Sequence, residues 1–187
     1  MATPGTGELI RLVDEAVELD SVERTVETIK AQLCKLIRTS SIELPPEYVR
    51  PVDGHYARRL LHRDEERGYS IVVMTWGPGQ KTPVHDHSGM WCVEGVWGGS
   101  IDVQQYELVG RDNGHYRFEP RNSYLAGVGS AGCLIPPYEY HSISNATDDT
   151  PAVSVHIYGG EMTCCNVFER QPDGSYTRCE RPLGYDN

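Results

Sequence analysis

This sequence predicts an all-β barrel or jelly roll preceded by a pair of helices, on three observations. Apolar residues recur at helical spacing only before residue 38. Short alternating apolar segments follow from Tyr56, and clusters of Gly, Pro, Asn and Asp separate them. The helical part begins about Glu8. Leu9, Leu12, Val13, Ala16 and Val17 form one stripe, and Val22, Val26, Ile29, Leu33, Leu36 and Ile37 form a second. Asp20, with Glu23 three residues later, reads as the N-cap between them. The connector from Leu44 to Pro51 ends this region, because Pro45, Pro46 and Pro51 cannot continue a helix. Strand-like segments then span 70–76, 84–96, 101–108, 116–118, 132–135 and 152–158, and Asp112-Asn113-Gly114 is a hairpin turn signal. Residues 171–187 are polar and turn-rich, which suggests a surface extension with one strand around Ser175 to Cys179. No repeat is visible, so a single domain is expected: helices over 8–38, a barrel over 56–170 and an extension over 171–187.

Composition narrows the partners. A chain of 187 residues can bury one substantial core, and a net charge of −10 argues against nucleic acid and against anionic membrane surfaces. A small molecule is the expected partner. There is no basic start followed by an apolar run, and no stretch of membrane-spanning length. The expectation is a cytoplasmic monomer or small homo-oligomer whose six cysteines are reduced thiols.

The chemistry centres on His85-Asp86-His87. Alternate residues of a strand project from one face, so this pair can grip a single metal ion. Gly79 lies six residues before His85, and Gly95, Gly98 and Gly99 follow. About forty residues on comes Pro136-Pro137-Tyr138-Glu139-Tyr140-His141, with Asn145 four residues later. This spacing resembles the paired motifs of the cupin superfamily, in which two histidines from the first motif and one from the second meet inside a small β-barrel. Cys92 stands where many cupins carry a carboxylate, and Tyr138 stands where a glycine is usual. Three neutral imidazoles leave a divalent ion its full charge until an anionic ligand arrives, and a thiolate is such a ligand.

A second alternation, Ser154, His156 and Tyr158, places three polar side chains on one strand face. Ser154 can orient one nitrogen of His156 while the other holds the Tyr158 phenol. Together these runs resemble the thiol dioxygenases within the cupins, typified by cysteine dioxygenase and 3-mercaptopropionate dioxygenase. The resemblance extends from about Tyr56 to Tyr158. It implies one Fe(2+) per chain held by His85, His87 and His141, a catalytic outer triad of Ser154, His156 and Tyr158, and addition of both atoms of dioxygen to a thiol, giving a sulfinic acid.

Arg58, with Tyr56 beside it, matches the arginine that binds substrate carboxylate in cysteine dioxygenases. The mercaptopropionate branch places its arginine after the triad strand, where Cys164-Cys165-Asn166-Val167 has none. Trp76-Gly77-Pro78-Gly79-Gln80 and the stretch from Trp91 to Gly98 look more like the bacterial mercapto-acid branch. The expected substrate is a small carboxylated thiol, cysteine first, with 3-mercaptopropionate or mercaptosuccinate as alternatives. A different metal-dependent cupin enzyme and a ligand-sensing cupin both stay open.

Cys92 occupies the position where some cysteine dioxygenases carry a cysteine joined by a thioether to the triad tyrosine, here Tyr158. The alternative is a small buried thiol filling the barrel wall. Counted from His85 and His87, both Cys92 and Glu94 have the wrong parity to face the metal on a regular strand, unless a bulge near Gly89-Met90 intervenes. His55, His62, His115 and Arg59 read as surface residues.

Overall fold

The computed structural model describes residues 5–187. Two helices, α1 (Thr6–Val17) and α2 (Val22–Arg38), and the single turn α3 (Pro46–Val49) precede eleven strands. The strands are β1 (Ala57–Asp64), β2 (Tyr69–Trp76), β3 (Val84–His85), β4 (Cys92–Gly98), β5 (Ser100–Asp112), β6 (His115–Gly127), β7 (Ala131–Leu134), β8 (His141–Asn145), β9 (Ala152–Tyr158), β10 (Cys164–Arg170) and β11 (Tyr176–Pro182).

They form two antiparallel sheets. One has the order β1-β2-β9-β4-β7; the other, β10-β11-β6-β5-β8-β3, closes on itself through the β3–β10 pair. The interior between the two sheets contains Val72, Met74, Trp76, Val96, Ile101, Ile143, Tyr158 and Val167. This is the expected β-barrel behind N-terminal helices. Asn113 and Gly114 both have positive φ and join β5 to β6, as the hairpin signal required.

The first sheet is buried on both faces, because α1 and α2 cover the side that turns away from the barrel. Leu9, Val13, Val26, Ile29, Leu33 and Leu36 pack against Ile71, Val73, Val93, Val155 and Ile157. Double burial explains why β2 reads as a nearly continuous apolar run rather than a clean alternation. Helix α2 comes so close to β4 that a Cβ on Gly95 would stand 2.7 Å from Leu33 Cδ2.

Several local expectations shift. The N-cap of α2 is Ser21, whose Oγ accepts from Arg24 N, while Asp20 pairs with the Arg24 guanidinium at 2.7 Å. Arg59 is buried rather than on the surface, because α3 covers the outer face of β1 and offers it Tyr48 O. His62 is half-buried against Tyr69; His55 and His115 are exposed as expected. The C-terminal stretch is more than a surface extension with a short strand. β11 pairs with both β10 and β6, and residues 183–186 fold back onto β1. No helix among the described residues is long and apolar enough to cross a membrane.

Leu33 fills the space above Gly95 and is fully buried. Leu33→Ala should lower stability by about 2–5 kcal/mol, read as a lower urea midpoint with an unchanged slope. A loss under about 0.5 kcal/mol would mean that the helix pair is not held on the sheet by this contact.

Candidate metal and outer-sphere site

Three rungs across the inner face of the first sheet position the site. The β1–β2–β9–β4 register aligns Arg58, Met74, Ser154 and Val96 on one rung, then Leu60, Val72, His156 and Glu94, then Ser70, Tyr158 and Cys92. The opposite sheet supplies the histidines. His85 and His141 are direct partners across β3 and β8, so both point inward; His87 follows just beyond the end of β3.

These three imidazoles converge. Their ligand atoms all lie within 4.8 Å of one another, their ring centroids are 4.5–5.3 Å apart, and none is more than 8% exposed. Burial holds each ring below its ordinary pKa and therefore neutral. Both nitrogens of His141 and Nδ1 of His87 are buried without a hydrogen-bond partner. Neutral imidazoles with free lone pairs, desolvated and facing one another, are a donor set that fits a divalent transition-metal ion.

Asp86, between the two ligand candidates, points outward and fixes the turn. Its Oδ1 accepts from Asn166 N at 2.9 Å and Ser88 N at 3.2 Å, and its Oδ2 from Asn166 Nδ2 at 2.7 Å. Glu139 does similar work from β8's side, its Oε2 accepting from His87 N at 3.4 Å. Burial, with Asp86 next in effect, pushes the Glu139 carboxyl up to about 7.

Arg58 lines the same cavity as the histidines, together with Tyr56, Met74, Trp76, His156, Tyr158 and Leu183; the free space is only about 20 Å³. That is room for a single water or ion. Tyr56 stacks on Trp76 at 4.7 Å. The Arg58 guanidinium donates to Gly184 O at 2.9 Å and Met162 O at 3.3 Å, with the Tyr185 ring 5.3 Å away. Asp186 accepts from the Arg58 backbone N–H rather than from the guanidinium. Among the described residues, this buried cation therefore has no carboxylate partner.

The outer triad departs from expectation. Ser154 Oγ and His156 Nε2 are 2.7 Å apart, as anticipated, but the other nitrogen does not hold Tyr158. His156 Nδ1 faces Glu94 Oε2 at 3.6 Å, and the His156 and Tyr158 rings lie nearly parallel with centroids 6.0 Å apart. The cause is register, since Glu94 sits opposite His156 and Cys92 opposite Tyr158. The parity count from the histidines fails because they and β4 do not share one strand. The chain turns through Ser88 and Gly89, both at positive φ, and re-enters at Cys92 with its phase reset.

Glu94 is thus a site residue that the parity count had excluded. Burial pushes its carboxyl up to about 7 and, with Arg58 and His85 as lesser causes, drives His156 down to about 3. Burial also raises the Cys92 thiol and the Tyr158 phenol well above their usual values. All six cysteines are free.

With this geometry in view, the family profile described as Cysteine dioxygenase type I matches residues 15–171. The chain belongs to the cysteine dioxygenase type I family. Among relatives of that name, the Danio rerio protein is 24% identical over 117 residues, covering 62% of this chain and 57% of the relative. The Rattus norvegicus protein is 23% identical over 176 residues, covering 88% of this chain and 78% of the relative. Against the first of these the match spans little more than half the relative's length. Among solved structures, the Thermus thermophilus protein TT1209 resembles the fold with a TM-score of 0.48 at 20% identity, covering 63% of this chain and 94% of that one. In this cysteine dioxygenase family member, Glu94 stands beside the three clustered histidines, 4.0 Å from His141 Nε2.

Asp86 touches no imidazole nitrogen yet holds the turn that carries two of them. Asp86→Ala should weaken divalent metal binding about 10- to 100-fold while leaving all three imidazoles in place. Titration calorimetry with iron(II) or zinc checks this; unchanged affinity would show that the turn holds itself.

Proposed function

We propose that this protein is an iron(II)-dependent thiol dioxygenase that converts a small carboxylated thiol and dioxygen to the sulfinic acid. The observation that carries this reading is the shared cavity: three converging neutral imidazoles, with unpartnered nitrogens on His87 and His141, and one guanidinium without a carboxylate line the same buried space. Iron(II) held by His85, His87 and His141 would supply the redox chemistry that joins thiol and dioxygen.

The remaining roles belong to the chain's own groups. Arg58 offers a buried cation whose charge calls for an anion, and a carboxylate meets it with two parallel hydrogen bonds. Its two carbonyl contacts set the direction of the fork before substrate arrives. Tyr56 and Trp76 wall the cavity beside it, and Met162 and Leu183 sit near Arg58 where they exclude water. A thiol acid needs more room than one water, so the cavity must widen for it to enter. Ser154 and His156 stiffen the strand that carries Tyr158, whose hydroxyl is left facing the cavity and Cys92.

Cysteine is the first substrate to test, because the carboxylate-binding arginine stands on β1 and the stretch Cys164–Val167 offers none. The experiment is oxygen uptake by the iron-loaded protein with cysteine, 3-mercaptopropionate, mercaptosuccinate and cysteamine. Arg58→Ala should raise KM for the carboxylated thiols about 10- to 100-fold, corresponding to about 1.5–3 kcal/mol of charged hydrogen bonding, and should barely affect cysteamine. Equal losses for both classes would remove Arg58 from the binding role. His141→Ala should abolish both turnover and most of the bound iron; full occupancy in that variant would overturn the ligand set.

Cys92 and Tyr158 are directly opposed on adjacent strands, which supports a thioether between the sulfur and the ring carbon beside the phenol hydroxyl. One S–H and one ring C–H are lost, and their two protons and two electrons pass to dioxygen. Intact mass spectrometry after turnover should show a decrease of about 2 Da that Cys92→Ala abolishes. Free Cys92 at full mass after many turnovers would restrict it to packing.

A further inference from the structure

Glu94 takes no part in the roles above, yet it stands on the middle rung of the inner face, directly across from His156. Its side chain is 8% exposed, its Oε2 has no hydrogen-bond partner, and His156 Nδ1 is buried and unpartnered in the same way. These two orphans face each other at 3.6 Å, closer than His141 Nε2, which is 4.0 Å from the same oxygen. A movement of about 0.5 Å brings them to ordinary hydrogen-bond length.

Proton counting gives that bond a direction. Trp76 Nε1 can only donate, so Ser154 Oγ, 2.9 Å away, accepts from it. Ser154 keeps one hydroxyl proton, and among the described residues its other polar partner is His156 Nε2 at 2.7 Å. Nε2 therefore accepts. A neutral imidazole carries one N–H, so the proton sits on Nδ1 and is aimed at Glu94 Oε2. The opposite tautomer would strand the Ser154 proton and set two lone pairs against each other inside the barrel.

We propose that Glu94 is a positioning residue that accepts the Nδ1–H of His156. It completes a chain of four side chains, Trp76–Ser154–His156–Glu94, and holds the histidine in one tautomer and one orientation. The consequence for catalysis rests on the thiol dioxygenase reading: His156 is committed to Glu94 and Ser154, so the Tyr158 hydroxyl stays available to Cys92 and to the reacting thiol. The assignment of the tautomer does not depend on that reading.

Glu94 also lines a second cavity, of about 320 Å³, enclosed by Val96, Ile101, Ala126 and Leu134 on the side away from Arg58. A small carboxylate can therefore reach the space left by a shortened side chain. That supplies a rescue experiment.

The direct test is 15N long-range correlation NMR of labelled, zinc-substituted protein. Wild type and Glu94→Gln should both show pyrrole-type Nδ1 and pyridine-type Nε2 at His156, since an amide oxygen still accepts. Glu94→Leu should move the proton to Nε2 or mix the two forms. In the iron-loaded enzyme, Glu94→Leu should lower kcat about 10- to 100-fold with little change in KM, as for other outer-shell partners of a metal site, and Glu94→Gln should retain most of it. Formate should restore part of the rate of Glu94→Ala without affecting wild type. An unchanged His156 tautomer in Glu94→Leu overturns the proposal, and so does loss of iron from Glu94→Gln, which would make Glu94 a ligand. Should thiol oxidation be absent from every form, the tautomer contrast still decides the inference and the functional reading alone fails.

Discussion

The site depends on the register of β9 between β2 and β4. That pairing sets Ser154, His156 and Tyr158 facing inward, opposite Val96, Glu94 and Cys92 on one side and Met74, Val72 and Ser70 on the other. Strand side chains alternate with a period of two, so a slip of one residue would send all three polar groups out beneath the helices and bring Val153, Val155 and Ile157 in. The α1–α2 layer resists such a slip, because its apolar face fits only the odd-numbered residues of β9. Helices with no polar group in the cavity thus specify the chemistry by choosing which edge of a strand is inside.

The metal candidates depend on a different device. His85 and His141 are held by strand pairing, whereas His87 stands outside the strand and needs a clamp. Asp86 and Glu139 provide one, the first bonding across to Asn166 and the second to the His87 backbone. A segment outside the strands therefore carries three carboxylate-to-backbone bonds. This is a common solution where a loop must hold atoms to within fractions of an ångström.

How legible each feature was in the sequence follows from the range of the interactions behind it. Helices α1 and α2 and the His-x-His step depend on periodicity within one element, and both were readable. β1, rich in arginine, and β8, only five residues long, carry little pattern of their own; they are strands because β2, β3 and β5 pair with them. Glu94 was hidden by the phase reset between His87 and Cys92, which no count of alternation can cross without knowing where the turn lies. The burial of Arg59 depends on α3, four residues whose placement over β1 has no local signature.

The hold on Arg58 links sequence positions 128 apart, through Asp186 to the backbone and Gly184 to the guanidinium. A chain emerging from the ribosome can pair β3 with β8 and bring the imidazoles together before β11, which completes the second sheet, and residues 183–186 exist outside the exit tunnel. In that interval it carries clustered imidazoles with an unanchored arginine. Order of synthesis therefore separates the gathering of the imidazoles from the anchoring of Arg58, and a nascent chain acquires them one after the other.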